Sequence, residues 1–149
     1  MLAALPTIAR RSRERAALVL VSDGADTASN ATLREVRSAL VRSEAFVYAI
    51  AIDSPEPQPI NTRVNATTLR EITDDSGGRT EVVHNGAELI EATARIADEL
   101  NNQYVLGYTS PRGADGKYHS IRVRVRESGY KVRARNGYVA EPANGRSVK

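Results

Sequence analysis

The 149-residue sequence has no cysteine, so no disulfide framework staples it, and reducing and oxidising compartments suit it equally. It has no apolar run near the ~20 residues that a membrane-crossing helix needs. Its longest, residues 16–21 and 45–52, are strand-sized. The N-terminus reverses the order of a secretory signal, with an apolar stretch ahead of Arg10, Arg11, Arg13 and Arg15, so no export signal is expected within the chain. Phosphate cradles are missing too. No Gly-x-Gly-x-x-Gly or P-loop pattern follows an apolar run, and no serine sits in Gly-x-Ser-x-Gly. With no such catalytic motif, the expectation is a protein that is not an enzyme.

What is present describes one folded globular domain: 41% hydrophobic residues and mixed charge. The charge is uneven. From Lys117 onward nine Lys or Arg face two acids, a balance of +7, and because the total is +3, residues 1–116 carry −4.

Residues 16–21 form a continuous apolar run stopped by Ser22-Asp23-Gly24, the pattern of a central strand buried on both faces of a parallel sheet. Thr32-Leu33-Arg34-Glu35 has capping-box spacing, and Leu33, Val36 and Leu40 share a helical face to about Arg42. Residues 45–52 predict a second strand. The proline-rich stretch 55–65 predicts a loop, and Thr68 to Glu71 a second capping box opening a short helix that ends at Gly77-Gly78. Residues 80–83 predict a third strand. Leu89, Ile90, Thr93, Ile96, Ala97 and Leu100 mark the apolar face of a further helix. Strands that alternate with helices in this way fit a three-layer α/β fold, a parallel sheet with helices on both faces.

Beyond residue 103 the period changes. Residues 104–108 predict a strand, while 121–126 and 131–135 alternate strictly about Glu127-Ser128-Gly129, predicting an antiparallel β-hairpin with one apolar and one basic face. Arg122, Arg124, Arg126, Lys131, Arg133 and Arg135 would line the basic face and could neutralise a polyanion. Aromatic residues do not interleave them, which argues against nucleic acid and favours a solvated face or one docked on the acidic body.

The first polar group after the first strand is the most informative, because ligands of open α/β sheets bind beyond the carboxyl ends of the strands. Asp23 would project there as a hard oxygen ligand for Mg²⁺ or Ca²⁺, with Ser22 and Asp26 as neighbours. Equally, Asp23 would serve as a turn cap. Asp23 and Asp26 are three apart, whereas a haloacid-dehalogenase-type phosphatase wants aspartates two apart. A metal-dependent hydrolase is therefore the weaker alternative. His84 and His119 have no carboxylate or cysteine at ligand spacing and read as surface loop or strand residues.

Residues 17–26, Tyr48-Ala49-Ile50, Leu69 to Ile72, Gly77-Gly78-Arg79, and residues 96–108 together resemble the second half of a von Willebrand factor A domain. Gly116-Lys117, residues 121–123 and residues 132–138 are similar to a β extension found in a bacterial subgroup of that family. The resemblance covers nearly the whole chain. It implies a partial A domain over 1–103, a β extension over 104–140 and a disordered tail over 141–149. It also implies metal-assisted protein binding, in which a divalent cation such as Mg²⁺ is held by an Asp-x-Ser-x-Ser motif, a loop threonine and an aspartate matched here by Asp23. No Asp-x-Ser-x-Ser occurs in the sequence, so metal affinity is expected to be weak or nil. A protein partner is expected, with self-association or completion by another chain, since a truncated sheet exposes apolar surface. As part of a longer precursor with a signal peptide the chain would be extracytoplasmic.

Overall fold

The computed structural model describes residues 1–9, 16–22, 30–53, 66–111 and 113–140. A short 3₁₀ turn, Leu2–Ala4, leads into α1, Leu5–Ala9. Then follow β1 (Ala17–Ser22), α2 (Leu33–Ser43), β2 (Phe46–Ile52), α3 (Ala66–Ser76), β3 (Thr80–Val83) and α4 (Gly86–Asn101). The three strands form one parallel sheet in the order β1-β2-β3, and helices cover both faces.

Strand alternation splits the core in two. Leu18, Leu20 and Val47 meet Met1, Leu5, Leu33, Val36, Leu40 and Ile72, so α1, α2 and α3 lie on one face. Tyr48, Ile50 and Val83 meet Leu89, Ala92, Ile96 and Leu100, so α4 covers the other. Each fully buried aliphatic side chain contributes about 1.5–3 kcal/mol. The predicted capping box is formed: Thr32 N donates to Glu35 Oε2 at 2.8 Å and Glu35 N to Thr32 Oγ1 at 3.3 Å. Those bonds to Thr32 hold the Glu35 carboxyl below its usual range.

The end of α3 is tightly built. Gly77 turns into the left-handed region at φ +88°, as expected of a C-cap glycine, and a Cβ on Gly78 would lie 1.9 Å from the Val47 carbonyl oxygen. Buried Ser76 accepts a bond from Val47 N at 2.9 Å and donates to Thr73 O at 2.7 Å. Its hydroxyl thus satisfies a β2 amide where β3 has not yet begun.

Four expectations need correction. β1 is an edge strand of the described sheet and is not buried on both faces: Val19 is 44% and Val21 60% exposed, because α4 sits over β2 and β3. The second capping box does not open α3, which starts at Ala66 and carries Thr68 inside it. On α4, Ile90, Thr93 and Ala97 are exposed, and Ala92 takes the buried place beside Ile96. The last correction concerns residues 104–108, which form no strand; the antiparallel hairpin is present as expected, with its ladder displaced from 121–126 and 131–135 to β4 (Tyr118–Ser120) and β5 (Gly137–Val139), plus an Ile121 N to Asn136 O bond of 2.8 Å.

Candidate functional site

Because the three strands run parallel, their carboxyl ends share one rim. β1 ends at half-buried Ser22, which is in register with Ala51 of β2. Two residues later Asp53 leaves β2, its amide donating to Val83 O at 2.8 Å, and His84 follows directly after β3. Asp53 Oδ2 and His84 Nδ1 lie 3.6 Å apart with both side chains 56% exposed. That is too long for a hydrogen bond, and it becomes an ion pair when the imidazole is protonated. Asp23 and Asp26, the two carboxylates singled out in the sequence, lie outside the described residues.

The neighbouring helix α4 is capped by a side chain of the chain itself. Asn85 Oδ1 accepts from Glu88 N at 3.0 Å, and Glu88 Oε2 accepts from His84 N at 2.9 Å. Asp53 and His84 are partners that sequence reasoning missed, since His84 reads there as isolated. The usable signal is positional: each is the first polar residue after a buried parallel strand.

His119 is not isolated either. It is buried, its ring packs obliquely on Tyr138 with centroids 5.5 Å apart, and its Nε2 lies 2.9 Å from Asp115 Oδ1. An ionised carboxylate only accepts, so Nε2 carries the proton. Together with the Lys117 amide, which donates to the same oxygen at 3.0 Å, this bond holds the Asp115 carboxyl below its usual range. Tyr138 in turn donates to Ser110 Oγ at 2.8 Å, tying the loop to β5.

The predicted basic face divides. Arg122, Arg124, Arg126 and Lys131 are exposed. Arg133 instead lies 3.4 Å from Glu99, and Arg135 lies 3.5 Å from Glu44 while donating to Val41 O at 3.2 Å. Asn136 completes the seam, its amide donating to Asp75 O at 3.2 Å. Of the five arginines proposed for an anion, two are spent on the acidic body at the ends of α2 and α4.

At the opposite end of the sheet, Arg79 bridges Glu99 at 3.0 Å and Glu81 at 2.8 Å, and Arg95 reaches Glu81 at 2.9 Å. The Arg79 Nε approach to Glu81 lacks hydrogen-bond alignment despite its short distance, so it acts through charge alone. Tyr48 lies beside this cluster with Gln103 Nε2 3.4 Å from its hydroxyl, and burial pushes its phenol up, opposed by that bond. The arrangement joins β3, α4 and the C-terminal segment and reads as structural.

Among the described residues, no three His, Asp or Glu side chains gather as a metal cluster, and no helix is long and apolar enough to cross a membrane. No family model and no curated protein matches the chain. A solved structure of an uncharacterized membrane-spanning protein from Vibrio fischeri is similar, with 25% identity and a TM-score of 0.49 over 58% of this chain and 48% of that one. This chain therefore spans about half the length of that neighbour.

Proposed function

We propose that the chain is a protein-binding module of the von Willebrand A type, with its recognition surface at the carboxyl rim of the sheet. The observation that supports this reading is the placement of Ser22, Asp53 and His84 on one exposed rim, with Asp23 next in sequence after Ser22. A rim of this kind presents polar groups to an incoming acidic side chain, directly or through a cation.

The described rim does not by itself fit Mg²⁺. One carboxylate, one hydroxyl and one imidazole fall short of the six oxygen ligands Mg²⁺ demands, and an imidazole suits softer metals. In this reading Asp23, water and a partner's carboxylate supply the rest, and the cation adds little affinity without the partner.

Calorimetric titration of Mg²⁺ and Mn²⁺ into the purified chain, with size-exclusion chromatography on the same sample, tests this. Weak heat that vanishes in Asp23→Ala supports an adhesion-type site. No heat from a folded sample removes the cation from the proposal.

A second reading, polyanion binding, is favoured by one observation: Arg122, Arg124 and Arg126 are exposed and pair with no acid among the described residues. Salt-dependent retention on heparin, lost when these three are replaced by serine, supports it.

A further inference from the structure

The C-terminal segment carries its cations in two groups. Arg133 and Arg135 are drawn against the body by Glu99 and Glu44. Arg122, Arg124, Arg126 and Lys131 stand in solvent and pair with no acid among the described residues. Glu127 is the one acid within 121–132, so this arm has a net charge of four minus one, +3. Residues 141–149, with Glu141 against Arg146 and Lys149, add a further +1 and supply no complement to it.

The residues between the cations are apolar and equally bare. Val123, Val125, Tyr130 and Val132 are all exposed, Tyr130 at 70%. Single exposed apolar residues are ordinary. Here four of them share one arm with four unpaired cations. The ladder that aligns the two sides of the hairpin ends at Ile121 and Asn136, and beyond it the arm buries neither its apolar nor its basic side chains.

That mixture constrains the partner. A nucleic-acid backbone would meet the cations and leave the valines in water, and no aromatic ring lies among the arginines for a base to stack on. An acidic protein face holds its carboxylates at fixed places, and matching them takes a cation array of fixed register, which the arm lacks past its ladder. An anionic lipid surface asks for neither. Its headgroups move in the plane, arginine and lysine stems reach them while aliphatic side chains settle at the boundary with the acyl chains, and tyrosine favours the same depth.

We propose that residues 122–132 bind the surface of an anionic bilayer, with the cations against lipid phosphates and the valines and Tyr130 at the headgroup boundary. This inference rests on the polyanion reading and narrows it to one class of polyanion. The mode is peripheral and needs no membrane-crossing helix, none being present among the described residues.

Co-sedimentation of the whole chain with vesicles of phosphatidylcholine and phosphatidylglycerol in equal parts tests it, against vesicles of phosphatidylcholine alone. Binding is expected to the mixed vesicles only, and it should fall as salt is raised. Each basic residue near such a leaflet contributes about fivefold in affinity, so replacing Arg122, Arg124 and Arg126 by serine should weaken vesicle binding about a hundredfold. Joint replacement Val125→Ser and Tyr130→Ser separates lipid from other polyanions: it should weaken vesicle binding about tenfold and leave retention on heparin unchanged. Both positions are exposed, so the far-ultraviolet dichroism spectrum should not move. Retention on heparin without binding to mixed vesicles, or vesicle binding indifferent to the double substitution, would overturn the lipid assignment and leave the polyanion reading standing. A folded chain that binds neither overturns both.

Discussion

β2 and residues 104–108 are both short apolar runs, yet they meet opposite fates. Phe46–Ile52 lies between two strands with helices above and below, and Val47 and Ala51 are fully buried. In the later run Tyr104 is 91% and Leu106 75% exposed, with no ladder partner. Composition separates the two poorly. What separates them is company: an apolar run becomes a buried strand when neighbours on both sides take its backbone bonds and helices cover its side chains. The body of the molecule supplies that company to β2. The C-terminal segment is held by discrete polar stitches, Arg133 to Glu99, Asn136 to Asp75 and His119 to Asp115.

The contrast can be broken by measurement. The largest effect should come from Ile96→Ala, which opens a cavity under α4 and should lower stability by about 3 kcal/mol in urea denaturation. Leu106→Ala should change stability by less than about 0.5 kcal/mol; a comparable loss at both sites would erase the distinction. Next, Ser76→Ala should cost about 2 kcal/mol, because it leaves the buried Val47 amide without its partner.

The smallest effect concerns acid. Asp115 titrates below its ordinary value of 3.8 in the folded chain, so its contribution is complete above that value and is lost as the pH falls through the lowered one. Tyrosine fluorescence of the extension should report a loosening in that acidic window. Asp115→Asn should remove that part of the pH dependence, and an unchanged profile would sink the assignment.

Much of the body was legible in the sequence. Residues 80–83 form a strand as expected, α2 starts at the predicted cap, and the three-layer α/β class follows from strand-helix alternation. These features rest on local periodicity and caps. What stayed hidden depends on distant partners. The exposure of Val19 and Val21 reflects where α4 comes to rest, which the run of apolar residues in β1 does not encode. Likewise the strict alternation of 121–126 and 131–135 is genuine, but pairing stops at Ile121 and Asn136, and Arg133 and Arg135 are drawn to glutamates far away in sequence. At the rim, Asp53 and His84 belong to different strands, so only the register of β2 and β3 brings them together.

The order of strands across the sheet equals their order along the chain. During synthesis each new strand can therefore dock on the outer side of the one before it, with no rearrangement of the part already formed. Among these three strands growth runs in one direction, from β1 through β2 to β3, so each docking step adds to a surface that is already ordered.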